Sequence, residues 1–199
     1  TINHEIQCNS YLDSILNQIQ MADPQYANYL FRMNFWHEHI CKKCGFTFYN
    51  STSENINIIM IDAHTTKVFE PDKYFENEYN KKNETYFKCK KCNHKVIAEF
   101  DLKPMNYPEY FFVYYYYTEN YSFENCIIRS PKEITIYDQK YDLVANIYAS
   151  SLRKGMHQFC TTFSDKIITM NDDVRSYEIS EDELMCQKIT TQIFRKKYH

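Results

Sequence analysis

The chain has 199 residues, 44% of them hydrophobic, a formal net charge of −3 and an isoelectric point near 6.2. This acidic balance argues against a general nucleic-acid binder, and no apolar run reaches the roughly 20 residues of a transmembrane helix. The N-terminus lacks the pattern of a signal peptide. The paired cysteines, with lysines between them, indicate a reducing compartment. We therefore expect a cytoplasmic or nuclear protein without a membrane or nucleic-acid partner.

Two helices are predicted in the N-terminal part of the chain. Apolar residues recur at helical spacing over residues 11–19, and Ser10 is placed to cap this helix. A second helix is expected from Pro24, which suits a first helical turn, to about His37.

Two Cys-x-x-Cys pairs, Cys41/Cys44 and Cys89/Cys92, are separated by 44 residues. Each pair can place two thiolates at the tip of a hairpin, and two such tips complete a tetrahedral four-cysteine zinc site. Compact zinc ribbons separate their pairs by roughly 15–20 residues. We therefore expect one structural zinc per chain that joins two long excursions, with two disulfides as the alternative.

We call residues 41–45 and 89–93 the two knuckles. Both contain Cys-Lys-Lys-Cys, followed by Gly45 in the first and Asn93 in the second. Glycine and asparagine tolerate the left-handed backbone that such a turn needs after its second cysteine.

Most of the remaining chain predicts strands. Alternating or continuous apolar runs lie at 46–49, 57–62, 95–100, 110–117, 133–137, 141–148, 158–163 and 166–170. The continuous run 110–117 predicts a strand buried on both faces, whereas residues 71–86 predict an exposed excursion. The tail from Ser180, with Glu183 completing a capping box, predicts a terminal helix. The expected class is α+β with a mainly antiparallel sheet.

A candidate base lies between two predicted strands at His157, and Asn171 and Asp172 follow the next strand. One hairpin arm separates them, so the three residues are expected at the same end of the sheet. A histidine whose tautomer is fixed by an amide or carboxylate can act as a general base. Taken alone, a histidine near an acidic turn is more often an ordinary surface residue.

The order of these elements resembles the ubiquitin-specific protease family, papain-like thiol hydrolases with a thumb, a palm and zinc-tipped fingers. Residues 141–157 resemble that family's Tyr-x-Leu-x-Ala-Val block, which ends in its Gly-His-Tyr motif. Residues 168–174 resemble its Trp-x-x-Phe-Asp-Asp block, and residues 99–116 resemble its Leu-Pro-x-x-Leu strand.

The resemblance implies a single catalytic domain over residues 1–199. Its parts would be a reduced helical thumb (1–38), zinc-stapled β fingers (39–98) and an antiparallel β palm (99–199). It also implies that the protein recognises ubiquitin, a ubiquitinated protein or a ubiquitin-like modifier and cleaves after the modifier's C-terminal glycine. Membership of a larger protein complex is consistent with this expectation.

The same resemblance assigns roles to three residues. His157 would be the general base, Asn171 would orient its imidazole, and Asp172 would be the neighbouring acid that supports the site. Met156 and Gln158 replace the glycine and tyrosine that usually flank the histidine. Together with the short thumb, these departures make a catalytically inactive scaffold that binds ubiquitin or another protein the alternative function.

The nucleophile position does not match the family. Residues 8–16 align without gaps with the family's Asn-Thr-Cys-Tyr-Met-Asn-Ser-Val-Leu segment, which puts Ser10 at the cysteine position and Glu5 at the oxyanion position. Shifting the register makes Cys8 the nucleophile and Asn3 the oxyanion residue, but the helical stripe then falls out of phase. An engineered Cys→Ser change, a natural pseudo-enzyme, a residue lost after Ser10 and the Cys8 register all remain open. A hydroxyl needs far stronger base assistance than a thiol.

Overall fold

The computed structural model describes residues 14–50, 55–56, 58–62, 68–79, 83–116, 127–152, 155–164, 167–172, 175–180 and 189–198. Its helical segments are α1 (14–22), α2 (Pro24–Phe31) and α3 (Pro71–Tyr74), which a π-helical turn (Phe75–Tyr79) continues. The strands are β1 (Met33–Cys41), β2 (Thr47–Asn50), β3 (Asn55–Ile56), β4 (Ile58–Asp62), β5 (Val68–Phe69), β6 (Asn83–Lys88), β7 (Lys95–Pro104), β8 (Tyr110–Tyr116), β9 (Ile127–Ile128), β10 (Glu133–Ile136), β11 (Gln139–Leu152), β12 (Gly155–Ser164), β13 (Ile167–Asn171), β14 (Ser176–Glu178) and β15 (Ile189–Lys196).

Two large sheets organise these strands. The smaller sheet has the order β2-β1-β7-β6, with β3 also paired to β1, and the larger has the order β14-β13-β12-β11-β15-β8-β4, with β10 also paired to β11. A separate two-stranded sheet joins β5 and β9. Over the described residues, every pair except β4–β8 and β5–β9 is antiparallel. The predicted α+β class, with a mainly antiparallel sheet, is confirmed.

The second helix is shorter than predicted. Asp23 caps it, and its Oδ1 accepts hydrogen bonds from the backbone amides of Gln25 (3.1 Å) and Tyr26 (2.9 Å). The helix ends at Phe31, because Arg32 is extended and the following residues pair as β1 with both β2 and β7. The predicted continuation to His37 is therefore wrong.

The aromatic run predicted from residue 110 forms a buried strand over Tyr110–Tyr116. Strand β8 lies between β15 and β4, and all residues from Phe111 to Tyr115 are buried. Its alternate side chains therefore pack on both faces of the larger sheet. The core around it includes Ile59, Ile61, Phe75, Phe111, Tyr141, Tyr148 and Phe194.

The prediction of a terminal helix is wrong over residues 189–196, which form β15; residues 181–188 lie outside the described part of the chain. Strand β15 is inserted between β11 and β8, and its residues Ile189–Gln192 are all buried. Strand pairing on both sides favours β15 over a helix at these residues, and the β-branched residues Ile189, Thr190 and Thr191 suit a strand.

The predicted exposed excursion at 71–86 contains a buried turn. Pro71 begins α3 and is buried, and the Phe75 side chain is completely buried. The ring of Phe75 contacts the rings of Tyr74 and Phe111 edge-on, with centroids 5.5 and 6.0 Å away. This segment therefore contributes to the core. Among the described helices, none is long and apolar enough to cross a membrane.

Candidate functional site

The smaller sheet brings the four knuckle cysteines together. The first knuckle follows β1, the second joins β6 to β7, and β1 pairs with β7. The four Sγ atoms lie within 4.8 Å of one another, with 3.9 Å between Cys41 and Cys92 and 3.7 Å between Cys44 and Cys89. Cys41 and Cys89 are completely buried. The predicted convergence of the two pairs is confirmed.

The two knuckles have the same backbone geometry. The amide after the second cysteine donates to the carbonyl of the first at 2.8 Å in both, from Gly45 to Cys41 and from Asn93 to Cys89. Gly45 and Asn93 both have positive φ angles, 66° and 58°. The predicted left-handed residues therefore close both turns.

The sulfur positions fit a zinc ion. A tetrahedral ion with Zn–S bonds of about 2.3 Å separates its sulfurs by about 3.8 Å, which matches the 3.7 and 3.9 Å between the sulfurs here. Disulfide sulfurs would be about 2.05 Å apart, so the disulfide alternative does not fit this geometry. Four thiolates on two rigid turns are a donor set that zinc prefers.

Interactions within the cluster shift the pKa values of its thiols in opposite directions. Backbone amides of Cys92 and Lys91 donate to the Cys89 sulfur and lower the pKa of Cys89 to about 6. At Cys44 the Phe46 amide favours the thiolate, but burial and the neighbouring thiols outweigh it and raise the pKa of Cys44 to about 11. A divalent cation would stabilise all four thiolates together.

Substitutions at Gly45 test the turn geometry. Among the described residues, no heavy atom lies within 4 Å of the position that a Cβ would take at Gly45, so only backbone conformation should matter. We expect Gly45→Val to lower the free energy of unfolding by about 1–2 kcal/mol. Gly45→Asn should cost only a few tenths, about 0.3 kcal/mol, because Asn93 already adopts this conformation. Thermal unfolding of the zinc-loaded variants would measure both; equal losses would contradict the explanation.

The second candidate site lies where β12 and β13 pair. His157 lies in β12, where its backbone pairs with Ser150 of β11. Asn171 ends β13 and pairs with Cys160, three positions further along β12 than His157. The structure therefore places His157 and Asn171 on adjacent strands, but not at the same level of the hairpin.

The Asn171 carboxamide is held by its neighbours. Ser176 Oγ donates to its Oδ1 at 2.8 Å, and its Nδ2 donates to Thr162 Oγ1 and the Thr169 carbonyl, both at 3.3 Å. Burial raises the pKa of the Cys160 thiol, and a hydrogen bond with Asn171 partly opposes this effect. Cys160 is therefore a protonated neighbour of Asn171 near neutral pH.

The other predicted site residues differ in how far the structure describes them. Asp172 is exposed, and its amide donates to the Arg175 carbonyl at 3.0 Å, which closes the turn into β14. The candidate nucleophiles Ser10 and Cys8 and the oxyanion candidates Asn3 and Glu5 lie outside the described residues.

A chain of buried polar residues in the larger sheet was not predicted. Gln192 of β15 accepts a hydrogen bond from Tyr115 at 2.6 Å and donates to Asn146 of β11 at 3.1 Å. Asn146 in turn donates to the hydroxyl of Tyr148, which lies 2.9 Å from the hydroxyl of Thr161 in β12. The sequence signal was a polar residue within an apolar strand, at Asn146 and again at Gln192.

Comparisons with known proteins locate this fold. No protein-family model matches the chain, and no curated protein matches it. A solved structure of the SAGA deubiquitinase module with a Ubp8 variant, Sgf11, Sus1 and Sgf73, bound to monoubiquitin, matches with a TM-score of 0.65 and 13% identity. The match covers 85% of this chain and 41% of that one.

Two further structures of this module agree. The same module bound to ubiquitin aldehyde matches with a TM-score of 0.61 and 12% identity over 85% of this chain. A yeast module with an Sgf73 variant gives 0.60 and 13% over the same share. This chain covers 42% of the length of each matched chain, about two fifths. Ubp8 is a ubiquitin-specific protease, so the predicted resemblance is confirmed, and this chain shares the fold of that family over the matched residues.

Proposed function

We propose that this chain recognises ubiquitin, or a ubiquitin-like modifier, through a fold of the ubiquitin-specific protease type. The observation that carries this proposal is the likeness over 85% of the chain to modules solved with monoubiquitin and with ubiquitin aldehyde. The four-cysteine cluster supports it, because a zinc-stapled sheet tip is what the family resemblance implied. Ubiquitin or a ubiquitinated protein, within a larger complex of the cytoplasm or nucleus, is the proposed partner.

The proposal assigns a role to each part of a single domain over residues 1–199. Residues 1–38 are a thumb remnant, residues 39–98 contain the fingers, and residues 99–199 contain the palm. Within 39–98, strand β4 and Phe75 pack with the larger sheet and so contribute to the palm. Zinc, bound by the four knuckle cysteines, stabilises the fingers and takes no part in chemistry. The fingers and palm together then present a surface for a folded protein modifier.

The first candidate activity is isopeptide hydrolysis. A thiolate attacks the carbonyl carbon of the modifier's C-terminal glycine, and His157 takes the thiol proton and passes it to the lysine amine that leaves. Water then hydrolyses the thioester and restores the thiol. Asn171 orients the imidazole, with Asp172 beside it, and Asn3 or Glu5 lies near the oxyanion, depending on whether Cys8 or position 10 supplies the nucleophile.

The second candidate is a non-catalytic module that binds the same modifier. One observation favours it. The Asn171 carboxamide is hydrogen-bonded to Ser176 and Thr162, and the Asn171 backbone pairs with Cys160 instead of His157. A serine at position 10 agrees with this candidate. It retains zinc and binds the modifier without cleaving it.

A ubiquitin probe with a C-terminal propargylamide separates the two candidates. The chain as written, Ser10→Cys and Cys8→Ala are each incubated with the probe, with Cys160→Ala as the matched cysteine control. Calorimetry measures the binding of unmodified ubiquitin in parallel. We expect measurable binding by all four proteins, since each change replaces one small side chain with another of similar size.

The outcomes are distinct. If only the Ser10→Cys variant is labelled, the chain is an isopeptidase fold whose nucleophile belongs at position 10. If the chain as written is labelled and Cys8→Ala abolishes the labelling, Cys8 is the nucleophile. Binding without labelling assigns the non-catalytic module. Failure to bind ubiquitin and ubiquitin-like modifiers would contradict the proposal as a whole.

A further inference from the structure

Positive charge is concentrated around the two knuckles. Residues 39–50 and 85–98 together contain six lysines and no aspartate, glutamate or arginine. The whole chain has 23 basic and 26 acidic residues. Removing the six lysines leaves 17 basic against 26 acidic residues, a balance of −9. The overall charge of −3, from which we expected no nucleic-acid partner, therefore conceals a strong separation of charge.

The fold gathers these lysines at one tip. Because the four sulfurs lie within 4.8 Å of one another, the two knuckles are adjacent in space. Five lysines on or beside them are exposed: Lys42, Lys43, Lys88, Lys90 and Lys91. We call this set the lysine tip.

Acidic residues begin further down the same sheet. Lys88 pairs with Lys95 beside the second knuckle, whereas the acidic pair Glu84 and Glu99 lies four rungs away, about 13 Å along the strands. In β1, Glu38 lies three residues before Cys41 and pairs with Asp101. The sheet is therefore basic at its tip and acidic towards its base.

The bound zinc does not cancel this charge. A zinc ion with four thiolates has a formal charge of −2, against five exposed lysines at the tip. The net charge of the tip stays positive whether or not the lysines also screen the thiolates. A compact, exposed cationic surface on an otherwise acidic protein favours an anionic partner.

We propose that the lysine tip binds the phosphate backbone of nucleic acid, without sequence preference. Duplex DNA carries one negative charge per about 1.7 Å of axis, and each lysine that neutralises a phosphate releases a counterion. The lysine tip belongs to the fingers, but this proposal does not depend on the modifier-binding function proposed for the fingers and palm.

The lysines of the tip suit a chain of closely spaced phosphates better than the separate carboxylates of an acidic protein. The arginine fork matches carboxylates and phosphates in a fixed geometry, whereas lysine is a point charge that binds phosphate oxygens in many orientations. Arginine does not occur in residues 39–50 or 85–98. A chain of closely spaced phosphates provides the charge density that several neighbouring lysines can use at once.

The test measures anisotropy of a fluorescein-labelled 20-base-pair duplex, and of a 20-nucleotide RNA, against the zinc-loaded protein from 50 to 200 mM salt. The tip variant replaces Lys42, Lys43, Lys90 and Lys91 with glutamine and keeps all four cysteines. The matched control replaces four exposed lysines elsewhere, Lys73, Lys132, Lys140 and Lys197, and so changes the net charge equally. Zinc content and circular dichroism check that each protein is folded.

We expect the tip variant to bind duplex at least tenfold more weakly than the parent, and the control to change less than threefold. The slope of log K against log salt should fall by about 3–4 in the tip variant. Equal losses in the two variants, or a parent that does not bind either probe at 50 mM salt, would overturn the proposal. Tighter binding of a polyglutamate peptide than of either nucleic acid would overturn it in favour of an acidic protein.

Discussion

Cys89→Ser is expected to abolish stoichiometric zinc binding and to destabilise the chain strongly. Cys89 is completely buried, and two backbone amides donate to its sulfur. A hydroxyl there would leave three thiolates for an ion that prefers four ligands in structural sites. Apparent binding free energies of structural zinc are about 10–16 kcal/mol, so losing even a third of this would lower the melting temperature by on the order of 10 °C.

The matched control for this prediction is Cys160→Ser. Cys160 lies in β12 of the larger sheet, outside the cysteine cluster. This variant should keep one zinc per chain and melt close to the parent. Elemental analysis of each purified protein, and thermal unfolding with and without excess chelator, provide the measurements. A Cys89→Ser protein that keeps one zinc and the parent's melting temperature would contradict the zinc assignment.

The elements that sequence predicted best depend on short-range patterns. The run 110–117 predicts β8 because its apolar side chains continue without interruption, and Phe111–Tyr115 are buried in the structure. The knuckles were predicted because Cys-x-x-Cys spacing, followed by Gly45 or Asn93, determines a local turn. In each case, the residues that form the sequence pattern are the same residues that form the strand or the turn.

The sequence predictions were wrong where pairing with strands far away in the chain determines the local structure. Residues 189–196 follow a capping box, but they pair with β11 and β8, which lie about 50 and 80 residues earlier in the chain. Likewise, residues 33–37 continue a helical pattern from Pro24, yet they form a strand that pairs first with β3 and then with β7. Local propensity is a weak signal when a sheet provides hydrogen bonds on both sides.

The relative position of His157 and Asn171 also depends on pairing between strands. Sequence order put Asn171 one hairpin arm after His157, and the structure has them on adjacent strands. The level at which they meet depends on register, and here Ser164 pairs with Ile167, so that Asn171 pairs with Cys160. A pattern of residue types constrains which strands pair far better than it constrains their offset.

Gln192→Leu is expected to lower the free energy of unfolding by about 3–5 kcal/mol. Gln192 is completely buried and makes three hydrogen bonds across the larger sheet, to Tyr115, to Asn146 and to the Arg129 carbonyl. Leucine matches its volume but replaces none of them. In a dry core, the polar groups that lose Gln192 cannot form hydrogen bonds with water instead, so each broken bond costs more stability than at the surface.

Gln139→Leu is the matched control, since it makes the same substitution on β11 at the surface. The Gln139 amide donates to the carbonyls of Lys140 (2.9 Å) and Lys197 (3.0 Å), both in exposed surroundings. Water can replace these bonds, so we expect a change within about 1 kcal/mol. Urea unfolding of both variants measures the difference. If both lost the same stability, burial of the network would not explain the effect; a larger loss for Gln192→Leu would show that these buried polar contacts stabilise the sheet beyond the backbone pairing of β15 with β11 and β8.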